Sequence, residues 1–179
     1  MQQNDQNLIA LCINQNRLAQ KELYERYKRA MYTLAYRLTN SFEAADEVLQ
    51  DAFLQVFKNL ESFKSESTLG SWIKTIVIRT AYKKIKTKVI FEELPPQYFD
   101  EKIAYDNTLN AEYLERAIQS LPEGFRAVFT LIEIEGFKHQ EVAEMLNISE
   151  GTSKSQLFYA KKKLRQLIIE NWQLIIDNW

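Results

Sequence analysis

The chain is poor in the residues that break, staple or ligate. Its 179 residues include only 4 glycines, 3 prolines, 1 cysteine and 1 histidine. A lone Cys12 excludes an internal disulfide and leaves no cysteine cluster for a metal, so it reads as a small apolar residue of the first helix. The one histidine, His139, stands at the start of a helix without a metal-ligand or nucleophile companion. Paired acids such as Glu92-Glu93 lie beside Pro95-Pro96, where a catalytic geometry would be hard to hold. No catalytic residue, metal or cofactor is therefore expected. No apolar run reaches the length that spans a bilayer, and Met1 to Gln6 is polar rather than signal-like. Those absences point to a cytoplasmic protein without membrane insertion. No β-type alternation persists anywhere, which predicts an all-α chain.

What is present is charge in blocks. The net charge is only −1, so the chain as a whole does not announce a polyanionic partner. Its distribution says more. Lys74, Arg79, Lys83, Lys84, Lys86 and Lys88 form a stretch with no acid, as do Lys154, Lys161, Lys162, Lys163 and Arg165. Between them, Glu92 to Glu115 holds acids against the single Lys102. Two basic blocks separated by an acidic one suggest two phosphate-contacting surfaces on a neutral body.

The second basic block lies in the most informative stretch, Lys138 to Ile168. It opens with a short amphipathic run carrying Val142 and Leu146, which Asn147-Ile148-Ser149 interrupts. Ser149 is suited to cap a following helix. That second run places Leu157, Ala160, Leu164, Leu167 and Ile168 on one stripe, with hydrogen-bonding and cationic residues elsewhere. Two helices joined by a tight turn, the second polar and basic, fit a helix-turn-helix whose second helix enters the major groove. A plain helical hairpin with a solvated basic face is the plainer alternative.

The remaining elements follow from apolar spacing. Short helices are expected over Asn7–Arg17 and Tyr113–Ser120, and a long one over Leu18–Thr39 on Leu23, Tyr27, Met31, Leu34 and Leu38. Ser41 caps the next, Glu43–Leu60, which is apolar on more than one side and carries Asp46, Glu47, Gln50, Asp51 and Leu54 on its remaining face. That face is either solvated surface or a docking surface for a basic partner. After a polar loop, Ser71 is expected to cap a helix from Trp72 to about Lys86, along which the first basic block lies with Tyr82 among its lysines. Phe125–Glu135 reads as one helix stopped by Gly136. The tail from Glu170 to Trp179 is apolar, with Ile168, Trp172, Ile175 and Trp179 at helical spacing. The expected organisation is a first helical domain over 1–88, an extended acidic linker over 89–110, and a second helical domain over 111–179 that contains the helix-turn-helix.

With both halves in view, the chain resembles the bacterial RNA polymerase sigma factors of the small, extracytoplasmic-function (ECF) type. The resemblance runs in order over roughly residues 7 to 168. DEVLQDAFLQVFKNLESF, Asp46 to Phe63, resembles the family's core-binding helix, and Lys64 to Lys86 resembles its loop and promoter-melting helix. SLPEGFRAVFTL, Glu135-Gly136 and EVAEMLNISEGTSKSQL match its second domain, with Gly151 to Ser155 the best single signature. The family usually has an apolar residue where Ser153 stands, and Arg where Gln156 and Tyr159 stand. It usually has Asn and Asp where Arg79 and Lys83 stand.

The resemblance implies a non-enzymatic subunit that binds core polymerase and directs promoter recognition, melting and initiation. Glu47, Gln50, Asp51, Leu54 and Phe57 would meet the β′ clamp helices, and the β flap is a further contact. Phe63, Lys64, Ser67, Trp72, Lys74, Arg79, Tyr82, Lys83 and Lys84 would hold the flipped and unpaired bases of the downstream promoter element. Thr152, Ser153, Ser155, Gln156 and Tyr159 would contact base edges of the upstream element, while Lys154, Lys161 and Lys162 meet phosphate and His139 adds a backbone contact. Promoter DNA and core polymerase are thus the implied partners, with an anti-sigma factor left open. The alternative is a stand-alone helix-turn-helix regulator with a helical sensor domain, which leaves the melting and docking helices without a use. A helical adaptor would leave both basic blocks unexplained.

Overall fold

The computed structural model describes residues 2–86 and 111–177, with side chains described over 5–85 and 111–170. The acidic linker over 89–110, Trp179 and the side chains of the apolar tail lie outside the described residues. The chain divides into two units, Met1–Thr87 and Lys88–Trp179. Every described element is helical.

The first unit consists of α1 (Gln2–Ile13), α2 (Arg17–Thr39), α3 (Phe42–Asn59), a 3₁₀ turn (Leu60–Ser62) and α4 (Leu69–Lys86). Helix α2 starts where Asn16 accepts hydrogen bonds from the N–H groups of Leu18 and Ala19 at 3.0 and 3.1 Å. It stops at Asn40, whose left-handed φ of 53° no β-branched residue would tolerate well. Ser41 then caps α3 through the Ala44 N–H at 3.2 Å, as its position predicted. Leu23, Leu34 and Leu38 of α2, Val48, Phe53 and Val56 of α3, and Ile73, Val77 and Ala81 of α4 fill one core. Each such aliphatic contributes on the order of 1.5–3 kcal/mol by leaving water. Tyr27 is half-buried because its ring lies over Gly70, where an added Cβ would come within 3.1 Å.

Two boundaries differ from expectation: α1 spans Gln2–Ile13 rather than Asn7–Arg17, because Asn16 caps α2, and α4 starts early. Helix α4 begins at Leu69, and Thr68, rather than Ser71, caps it: the Ser71 N–H donates to Thr68 Oγ1 at 3.1 Å. Both hydroxyl residues suit a cap, but the burial of Leu69 draws an earlier turn into the helix.

The second unit consists of α5 (Ala111–Gln119), α6 (Glu123–Phe129), a π-helical turn (Thr130–Ile134), α7 (His139–Leu146) and α8 (Glu150–Asp177). Ala117, Ile118, Leu121, Phe125, Ala160, Leu164 and Leu167 form its core cluster. Tyr113, fully buried, donates its hydroxyl to the Leu167 carbonyl at 2.8 Å and fastens α5 to α8. Arg126 is also buried. Its Nη1 donates to the carbonyls of Leu121 and Gln119 at 2.8 and 3.2 Å, closing the turn between α5 and α6. Burial pushes its pKa down, against the opposing charge of Glu123.

The single helix expected over Phe125–Glu135 is in fact α6 followed by the π turn. Glu135 N–H reaches back to the Thr130 carbonyl and Phe137 N–H to Leu131, both at 3.0 Å. Gly136 ends the run at φ 77°, as its placement predicted.

Candidate nucleic-acid interface

Helices α7 and α8 form the helix-turn-helix. Lys138 N–H donates to the Glu141 carboxylate at 2.7 Å, tying off the start of α7. Asn147 ends α7 in the left-handed conformation, φ 52°, and Ser149 caps α8 by accepting from the Thr152 N–H at 2.9 Å. Val142 and Leu146 of α7 and Leu157 and Ala160 of α8 are all buried. Local sequence signals thus fix both ends of the turn, and the apolar stripe fixes how α8 lies on its support.

That support decides which α8 residues are presented outward. Lys154, Ser155, Phe158, Tyr159, Lys161 and Lys162 are exposed, and Thr152 and Gln156 are half-buried. Thr152 Oγ1 is engaged with Ser149 Oγ at 2.8 Å, within the cap. The Gln156 amide lies against Gly124 at the start of α6. Tyr159 stacks on Phe125 with ring centroids 6.0 Å apart, and Phe158 meets the Tyr159 ring edge-on at 5.5 Å. Lys154 pairs with Glu150 at 2.6 Å and Lys161 with Glu133 at 2.8 Å, so either lysine must exchange a carboxylate to hold a phosphate.

One expectation for this helix is corrected. Ser153 is 0% exposed and cannot reach a base edge. It lies on the stripe that α8 turns toward α7, where its hydroxyl meets His139 Nδ1 at 2.9 Å. His139, half-buried at the start of α7, holds that hydroxyl. Phe158, 63% exposed, is the residue that the sequence reading missed; its position one residue beyond Leu157, off the apolar stripe, was the available signal.

On the first unit, Lys64 and Ser67 of the loop are exposed, and Phe63 packs on Trp72 of α4 with centroids 5.4 Å apart. Arg79 and Lys83 are exposed, while Lys74 and Trp72 are half-buried. Tyr82 is a further correction. It is 7% exposed on the inner face of α4, and burial raises its hydroxyl pKa, so it serves the core and is not offered to a base. The period of α4 explains this: Tyr82 is four residues beyond Ile78 and five beyond Val77, both fully buried.

Helix α3 exposes Glu47, Gln50, Asp51 and Leu54, with Phe57 half-buried. Leu54 is 64% exposed among those polar groups. Lys84 crosses from α4 to pair with Glu47. A groove between α2 and α3, lined by Tyr24, Lys28, Tyr32 and Asp46 among others, was not anticipated, although the four-residue spacing of its α2 members was readable.

Comparison with known families now bears on these surfaces. Residues 23–89 match the model described as Sigma-70 region 2, and residues 111–164 match Sigma-70, region 4. The matches fall in that order on the two helical units and together span well over half of the chain. The chain belongs to the sigma-70 family, in its ECF class. The ECF RNA polymerase sigma factor SigM of Mycobacterium tuberculosis is 28% identical over 170 residues, covering 93% of this chain and 86% of its own. The ECF RNA polymerase sigma-E factor of Escherichia coli is 26% identical over 179 residues, covering 91% and 93%. Among solved structures, the sigma factor RpoE of Bartonella quintana, in complex with the anti-sigma factor NepR, superposes with a TM-score of 0.58 at 22% identity. It covers 83% of this chain and 95% of its own. CnrH, in complex with the cytosolic domain of CnrY, gives 0.56 at 20%, covering 93% and 98%. In this sigma factor the helix-turn-helix is region 4, and α2 to α4 are region 2. No described helix is long and apolar enough to cross a membrane, and no described cluster of His, Cys, Asp and Glu could hold a metal ion.

Proposed function

We propose that the chain is a promoter-specificity subunit of bacterial RNA polymerase, working in the cytoplasm beside the core enzyme and contributing no catalytic group of its own. The observation that carries this reading is the ordered pair of sigma-70 matches on two helical units, one of which ends in a helix-turn-helix. Glu47, Gln50, Asp51, Leu54 and Phe57 dock on the β′ clamp helices. Leu54, exposed with half-buried Phe57 among carboxylates and amides, supports that role, because docking surfaces combine an apolar centre with a polar rim.

Phe63, Lys64, Ser67, Trp72, Lys74, Arg79 and Lys83 hold the melted downstream element, with cations along the backbone and aromatic faces for unpaired bases. On α8, Ser155, Gln156 and Tyr159 read the upstream element, while Lys154, Lys161 and Lys162 meet phosphate. An anti-sigma partner is part of the proposal, supported by the Bartonella quintana sigma factor solved in complex with one.

The test is run-off transcription with purified core polymerase and templates randomised upstream of the start site. Selective, chain-dependent transcripts are expected. Binding of DNA without any association with core polymerase would instead establish a stand-alone regulator.

A further inference from the structure

The hydrogen bond between His139 and Ser153 links the two helices of the helix-turn-helix. His139 is the first residue of α7, and Ser153 lies in the first turn of α8, 14 residues on. Ser153 is 0% exposed, so its hydroxyl has no route to water while α8 lies where it does. A buried hydroxyl without a partner is costly, and His139 Nδ1 at 2.9 Å supplies the partner. The imidazole side of the bond is half-buried and reaches solvent. The dependence is therefore one-sided. Ser153 needs His139 in order to stay buried, while His139 does not need Ser153.

We propose that His139 is a positioning residue for promoter recognition: by satisfying Ser153, it sets the seat of α8 on α7 and thereby the aim of the reading residues, without touching DNA itself. This rests on the reading that α8 enters the groove. Without the imidazole, the Ser153 hydroxyl must turn to the Ser149 carbonyl one turn back or to water in the vacated space, and either exchange lifts the first turn of α8 from its seat on α7. That turn carries Thr152 and leads directly into Ser155 and Gln156, so a small lift displaces the reading face. Removing the hydroxyl as well removes the reason to lift. The pair should therefore behave as a unit, and loss of both groups should cost less than loss of His139 alone.

The experiment uses the full chain with core polymerase, and as probe the duplex most enriched from a library randomised over the upstream element. His139→Ala is expected to weaken binding about tenfold, and Ser153→Ala much less. Coupling between His139 and Ser153 then shows in the double variant, where Ser153→Ala should recover most of the loss caused by His139→Ala. His139→Asn, whose amide occupies the place of Nδ1, should retain binding. Across these variants the slope of log K against log salt should stay constant, because no phosphate contact is lost.

A slope lowered by about 0.9 in His139→Ala, with effects additive in the double variant, would make His139 a phosphate contact and overturn the proposal. Lower thermal stability with unchanged DNA affinity would overturn it too, leaving only a structural bond. Lys162→Ala and Gln156→Arg serve as controls for the underlying reading. If they alter binding while the His139–Ser153 pair shows no coupling, the proposal alone fails. If they leave binding untouched, α8 is not the reading helix, and both fall.

Discussion

Glu47 of α3 and Lys84 of α4 share an ion pair, which ties the exposed acidic face of region 2 to its basic helix. The Glu47 side chain remains 59% exposed and that of Lys84 30%, so the pair is worth no more than about 1 kcal/mol in solvent. A bond that weak is exchangeable. A cation on the polymerase can take Glu47, and a DNA phosphate can take Lys84, each at little cost to the fold.

The docking face gives the first prediction. Asp51→Lys combined with Leu54→Ala should abolish association with core polymerase while leaving the circular dichroism unchanged, since both side chains project from α3 into solvent. Glu47→Gln should lower stability by less than about 1 kcal/mol. Pull-down with core polymerase and thermal melts read both effects. Normal polymerase binding by the double variant would move the docking face elsewhere on region 2.

The proposed function puts Phe63 and Trp72, whose rings meet at the loop's junction with α4, in the melting step. Trp72→Ala is expected to reduce open-complex formation on a linear duplex about tenfold more than on a pre-opened template, in line with a base stack worth about 1–3 kcal/mol. Permanganate footprinting on the two templates makes the comparison. An equal loss on both would remove Trp72 from the melting step.

On α8, roles should divide by side chain. Gln156→Arg is expected to change the preferred base at one upstream position by about 1–3 kcal/mol of discrimination. Lys162→Ala should leave preference intact and lower the salt slope by about 0.9. Selection from a promoter library at two salt concentrations separates the two behaviours. The reverse pattern would mean that the opposite side of α8 faces the groove.

Gly124 offers a subtler handle on the same position. A Cβ added there would come within 3.0 Å of the Gln156 amide nitrogen, the movable end of a flexible side chain. Gly124→Ala should therefore leave stability equal or raise it by up to about 1 kcal/mol through helix propensity. It should also displace the amide and blur base preference at the Gln156 position. Thermal melts and library selection, read together, check both halves; a large loss of stability would show that the amide cannot move.

The sequence made the helices, the Ser41 and Ser149 caps and the Gly136 stop legible, because each rests on local spacing or on one residue's conformational preference. It also placed Leu54 and Lys154, Lys161 and Lys162 on outward faces, but not Lys163, which is buried. It failed where tertiary packing overrode local chemistry. Tyr82 stands among lysines in the chain, but the period of α4 turns it into the core. Ser153 looks like a groove-facing hydroxyl until its partner fourteen positions earlier is in view. Arg126 gave no sign that it would be buried as the clasp of the α5–α6 turn, because carbonyl acceptors leave no mark in sequence. The π turn was hidden for a similar reason, since Thr130–Ile134 has an ordinary helical composition.

Helix α8 runs without a break through 28 residues, from the cap at Ser149 to Asp177. At 1.5 Å per residue it is a rod about 42 Å long, and only its first turns lie over the helix-turn-helix. Such a rod is a lever. A tilt of a few degrees at the DNA end swings the far end by several ångströms, and a force applied at the far end returns to the groove as rotation. Whatever grips the last turns of this helix, far from any base, therefore has mechanical access to promoter recognition.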